Sequence, residues 1–113
     1  MPVTIYHNPR CSKSRETLKL IEDKGVAPTV VEYLKSPPGA EELSRILALL
    51  GIPARDLVRK KEAAEAGIDP AALDEPALIR AMVANPAIIE RPIVVAGDRA
   101  RVGRPPESVL DIL

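Results

Sequence analysis

Pro9 is the residue that most restricts what this chain can fold into. Residues 3–6 alternate in apolar character as a short strand does. A proline brings no N–H to a sheet ladder, so that strand ends and the chain turns before Cys11. From Ser12 onward Thr17, Leu18 and Ile21 keep helical spacing, and Gly25 is a natural stop. Residues 29–33 are β-branched and aromatic enough for a second strand. Two strands joined through a helix need a crossover connection, which predicts a parallel, right-handed β-α-β unit.

The turn carries the one cysteine and the one histidine of the chain. Cys11 falls at the N-terminus of the predicted helix, where unpaired backbone N–H groups and the positive end of the dipole favour thiolate over thiol. Arg10, Lys13 and Arg15 push the same way. A helix end that stabilises a thiolate also suits a phosphate-like oxyanion, so the loop reads as a reactive thiolate beside an anion cradle. The blander reading, a small buried hydrophobe, suits most lone cysteines. It suits this one poorly, because three cations and several hydroxyls after a proline turn offer little apolar surface. His7, four positions before Cys11, stabilises the thiolate if it is protonated. Ser14 stands where a second cysteine would complete a dithiol motif, so a resolving thiol has to come from another molecule.

Beyond the second strand, residues 35–39 break the pattern, and residues 40–50 place Leu43, Ile46, Leu47 and Leu50 on one helical face before Gly51. Residues 53–58 predict a short helical segment. Residues 59–72, rich in charge and alanine, predict short surface helices and turns. Asp74 is a candidate N-cap for a helix through Leu78, Ile79, Met82 and Val83, stopped by Asn85-Pro86. Residues 92–96 form an apolar strand, Gly97-Asp98 a two-residue hairpin turn, and residues 99–103 a shorter, more polar return. Pro105-Pro106 opens a last helix with Val109, Leu110, Ile112 and Leu113 on its buried face. The order, β-α-β, a helical block, then β-β-α, predicts an α/β domain with a thioredoxin-like mixed sheet and a helical insertion at about 40–86. In that fold the reactive cysteine sits between the first strand and the first helix, where this sequence has Cys11.

At 113 residues the chain has room for one domain, 1–113. A formal net charge of zero and a pI near 6.6 give no electrostatic support for nucleic-acid binding. The start lacks a basic segment followed by a long apolar run, and no later run suits a bilayer, so a soluble cytoplasmic protein is expected. One cysteine permits no intramolecular disulfide, in keeping with a reducing compartment. No metal or bound cofactor is expected.

Four ordered anchors resemble those of the arsenate reductases that work with glutathione and glutaredoxin, in a short chromosomal-type form. They are His7-Asn8-Pro9-Arg10-Cys11-Ser12-Lys13-Ser14-Arg15, Leu57-Val58-Arg59-Lys60, Arg91-Pro92-Ile93-Val94-Val95 and Gly103-Arg104-Pro105. By this resemblance Cys11 is the nucleophile. Arg59, Arg91 and Arg104 hold the oxyanion, and His7 and Ser14, with Arg15, tune the thiolate. Guanidinium suits that task, since it neutralises a tetrahedral dianion with bidentate hydrogen bonds that also orient it. Without the resemblance, Arg59 in its lysine-rich stretch would read as a solvated surface charge. Arg91 and Arg104 each precede a proline, which restricts their backbone. The resemblance also implies a cis Arg91-Pro92 bond facing the cysteine.

The activity implied is reduction of arsenate to arsenite through a covalent Cys11-arsenate adduct. Glutathione is the co-substrate, and glutaredoxin resolves the Cys11-glutathione disulfide. Arg10, Ser12 and Lys13 stand where resistance-type members carry small or hydroxyl residues, which leaves room for a similar oxyanion or a thiol-exchange substrate. Two other readings follow: a glutathione-linked monothiol oxidoreductase, and a non-enzymatic regulator binding RNA polymerase.

Overall fold

The computed structural model describes residues 2–113, which divide into two compact units, one of the residues up to Ser36 together with Arg91–Leu113, the other Pro37–Glu90.

The first unit holds the sheet. Strand β1 is Val3–His7, helix α1 is Ser12–Asp23, β2 is Thr29–Glu32, β3 is Ile93–Ala96 and β4 is Arg99–Val102. The strand order is β2-β1-β3-β4. β1 runs parallel to β2 and antiparallel to β3, and β3 is antiparallel to β4. This is the expected thioredoxin-like mixed sheet. β1 is an inner strand, paired with both β2 and β3, and its residues are nearly all buried rather than alternating. The hairpin between β3 and β4 turns at Gly97, whose φ of +63° suits a residue without Cβ. The core joins Val3, Ile5, Ile21, Val94, Ala96, Val109 and Ile112.

The closing segment differs from the expected α-helix. Pro106–Ile112 is a 3-10 helix. Its buried residues, Pro106, Val109 and Ile112, recur every third position, which is the period of a three-residue turn. Two prolines at its start withhold N–H donors, and the bond that does form there, Ser108 N–H to the Pro105 carbonyl at 3.0 Å, spans three residues.

The second unit is helical: α2 is Ala40–Leu50, α3 is Lys60–Glu65 and α4 is Glu75–Ala84, with 3-10 turns at Ala54–Leu57, Pro70–Ala72 and Pro86–Ile88. In α2, Glu41 and Glu42 lie in the first turn, where the dipole favours acids, and Gly51 closes the other end at φ +72°. Asp74 caps α4 by accepting from the Ala77 N–H at 2.9 Å, as expected. Leu43, Ile46, Leu47, Leu78, Ile79 and Met82 are the buried positions of α2 and α4, which pack on each other. Among the described residues no helix is long and apolar enough to cross a membrane.

Candidate active site

The loop between β1 and α1 is a set of interlocking turns. Asn8, buried, accepts at its carbonyl from the Cys11 N–H at 3.0 Å, and its Oδ1 accepts from the Arg10 N–H at 3.0 Å. The Asn8 N–H donates to Ser14 Oγ at 3.0 Å, and Ser14 Oγ shares a hydrogen bond of 2.6 Å with His7 Nδ1. Arg15 reaches back to donate to the Pro9 carbonyl at 3.0 Å. A single hydroxyl on the first turn of α1 thus ties the end of β1 to the start of the helix. The sequence singled out Ser14, but only the fold shows this use of its side chain.

Cys11 is the N-cap of α1, half-buried, with extended backbone (φ −93°, ψ 124°). No acidic residue lies in the first turn to compete for the positive helix end. Burial pushes the Cys11 thiol up, but the Ser14 and Lys13 backbone N–H groups and the hydrogen bond and charge of Arg91 outweigh it, so its pKa falls below the ordinary value. Arg104 adds a contact of its own, donating from Nη2 to Cys11 Sγ at 3.4 Å. Its Nε donates to the Arg91 carbonyl at 2.8 Å, so one guanidinium spans the two proline-flanked segments.

Arg91-Pro92 is cis, as expected, and so is Arg104-Pro105. Gly103 is the hidden member of this arrangement. Its N–H donates to the Pro92 carbonyl at 2.9 Å. A Cβ there would lie 2.5 Å from Thr17 Oγ1 and 2.8 Å from Pro92 Cγ, so only glycine lets the chain before Arg104 lie against α1. Thr17 is fully buried and donates its hydroxyl to the Lys13 carbonyl at 2.7 Å. Asn8 and Gly103 stood among the anchor residues without a role of their own, their signals a turn-forming Asn-Pro pair and a glycine before Arg-Pro, and Thr17 read only as a helical position.

His7 takes a different part from a charged neighbour of the thiolate. Burial lowers its pKa, Glu32 opposes that, and Arg15 adds to it, so the ring is held toward the neutral form. Its contact with the loop is the hydrogen bond to Ser14 Oγ. Arg59 belongs to the second unit and is not a solvated charge. Its Nε donates to Glu62 at 2.8 Å and its Nη1 to Glu90 at 2.7 Å, and the two carboxylates raise its pKa against the opposing effect of burial. Of the three arginines, the structure brings Arg91 and Arg104 to Cys11 within the first unit.

The site thus sets a sulfur with a lowered pKa at a helix end beside two guanidiniums, Arg91 and Arg104. The model of the ArsC family matches residues 6–112. The chain belongs to the ArsC family. It is 55% identical to the uncharacterised Escherichia coli (strain K12) protein YfgD, over 98% of this chain and 96% of that one. It is 50% identical to an arsenate reductase of Rhizobium meliloti (strain 1021), over 100% of this chain and 82% of the relative. The solved arsenate reductase of Vibrio cholerae is 51% identical and superposes with a TM-score of 0.94, covering 100% of this chain and 98% of that structure. As an ArsC member the chain has the thioredoxin-like fold that the element order predicted.

Proposed function

We propose that this ArsC chain reduces arsenate to arsenite, with Cys11 as nucleophile and glutathione and glutaredoxin as thiol donors. The observation that carries the reading is the Arg104 Nη2 contact at 3.4 Å from Cys11 Sγ, made where Arg91 also bonds the sulfur. An arsenate dianion repels a thiolate, and guanidiniums beside the sulfur neutralise it and orient an oxygen as leaving group. The names of the R. meliloti and V. cholerae relatives support arsenate as the oxyanion.

In the first step the Cys11 sulfur bonds to arsenic, and an arsenate oxygen leaves as water after taking protons. In the second, the glutathione sulfur bonds to the Cys11 sulfur and the S–As electron pair stays on arsenic. Arsenic passes from As(V) to As(III) while two thiols become one disulfide. A glutaredoxin thiol then attacks that disulfide on its glutathione sulfur, and the Cys11 thiolate is restored. With Ser14 in place of a second cysteine, both resolving thiols come from outside the chain.

The test is an assay of arsenite formation with glutathione and glutaredoxin, paired with alkylation of Cys11 with and without arsenate. Wild type should turn over, arsenate should protect Cys11, Cys11→Ser should be inactive, and Arg104→Lys should lower kcat/KM by about 10²-fold or more. Arsenite formation by Cys11→Ser would overturn the mechanism. Fast alkylation without arsenate protection, together with reduction of glutathionylated peptides, would assign the chain to monothiol exchange instead.

A further inference from the structure

Arg10 lies next to the nucleophile, yet it lines a separate cleft of about 240 Å³ that it shares with Asn8, Pro9, Glu32, Leu34 and Lys35. The cleft opens at the carboxyl ends of the neighbouring parallel strands β1 and β2, which end at His7 and Glu32. Its chemistry differs from that around the sulfur. It offers two cations, Arg10 and Lys35, and one carboxylate, Glu32, which lies 3.7 Å from Lys35 in a loose, exposed pair. Leu34 adds an apolar wall and is 44% exposed, one of the few large apolar side chains left uncovered. The Arg10 backbone N–H donates to Asn8 Oδ1, so its side chain starts from the same turn that places Cys11.

We infer that this cleft seats the charged end of the small thiol that reacts at Cys11, with Arg10 and Lys35 taking a carboxylate and Glu32 an ammonium. The inference rests on the reading of Cys11 as a thiolate that meets glutathione. The γ-glutamyl end of glutathione carries one carboxylate beside one ammonium, a pair that two cations and one acid can match. A cleft of about 240 Å³ is small for a whole tripeptide and suits one end of it. Four cations of the first unit then divide between two tasks: Arg91 and Arg104 serve the sulfur and its oxyanion, and Arg10 and Lys35 select the thiol.

Thiol-disulfide exchange of Cys11 with oxidised glutathione, run without arsenate, tests the cleft directly. The Cys11 thiolate bonds to one glutathione sulfur, and the other leaves as a thiolate. Bis(2-hydroxyethyl) disulfide, uncharged, reads the intrinsic reactivity of Cys11 in parallel. In Arg10→Ala/Lys35→Ala the rate with oxidised glutathione should fall about tenfold or more beyond any change with the uncharged disulfide, whose rate carries whatever Arg10 gives the thiolate itself. Lys19→Ala/Lys24→Ala, which removes equal charge elsewhere in the unit, should leave both rates unchanged. Equal loss with both disulfides, or an equal loss in the lysine control, would overturn the cleft as a subsite. Arsenate protection of Cys11 is scored separately, so a failed arsenate reading and a failed thiol subsite give different results.

Discussion

Replacing Ser14 with alanine separates the two ways in which that residue serves the loop. Its side chain is fully buried, and Oγ meets His7 Nδ1 at 2.6 Å and the Asn8 N–H at 3.0 Å. In Ser14→Ala a buried backbone donor and a buried ring nitrogen both lose that hydroxyl. A buried polar group left unsatisfied costs about 1–3 kcal/mol. Alanine returns a few tenths of a kcal/mol, roughly, through its higher helix propensity. The expected loss is therefore about 2–5 kcal/mol, which for a chain of this size lowers Tm by roughly 10 °C or more. Urea unfolding followed by far-UV circular dichroism measures it as a lower midpoint at unchanged slope. The Ser14 backbone N–H, one of the groups that favour the Cys11 thiolate, survives the substitution. Absorbance near 240 nm against pH should therefore still show Cys11 titrating below the free-thiol value of about 8.5. A stability loss under about 0.5 kcal/mol, the scale of a surface change, would refute the hydroxyl's role. A thiol restored to the free value in a stable variant would refute the division between side chain and backbone.

Gly103→Ala should lower stability by about 1–3 kcal/mol, because the new Cβ meets Thr17 and Pro92 and one of them must move. Slower alkylation of Cys11 should accompany it, since Arg104 follows directly. Arg59→Ala should destabilise by about 1–2 kcal/mol in urea titrations, discounted for partial exposure, since Glu62 and Glu90 lose their shared cation. An unchanged midpoint would return Arg59 to the class of solvated charges. The pH dependence follows from His7, whose folded pKa lies below its ordinary 6.5. As pH falls through 6.5 the unfolded chain takes up a proton that the folded ring refuses. Stability should fall over that window and level off below the folded pKa. Urea midpoints between pH 8 and 5 measure this, and a midpoint that rises on acidification through the window would contradict it.

The chain's punctuation made most of the fold legible. Pro9 ended β1, Gly51 and Asn85-Pro86 ended their helices, Gly97-Asp98 made the hairpin, and Asp74 took its cap, because each acts through local backbone chemistry. The same local reasoning placed Cys11 at a helix N-terminus, where unpaired N–H groups favour a thiolate in any fold. The last helix escaped it. Val109, Leu110, Ile112 and Leu113 fit a 3.6-residue period well enough, and only packing selected the three-residue one that buries Pro106, Val109 and Ile112.

What tertiary structure alone decided was which charges meet. Arg91 and Arg104 lie far from Cys11 in the chain, and nothing in their local sequence says that one guanidinium will span from the Arg91 carbonyl to the Cys11 sulfur. Arg59 looked solvated beside Lys60 and Lys61, and the fold gave it Glu90, a partner thirty-one positions away. Charge and hydrogen bonding act between groups close in space, whereas a single sequence shows only neighbours along the backbone. The sequence by itself thus determined that Cys11 stands at a helix end that favours its thiolate. The fold determined that Arg91 and Arg104 are the cations held against its sulfur.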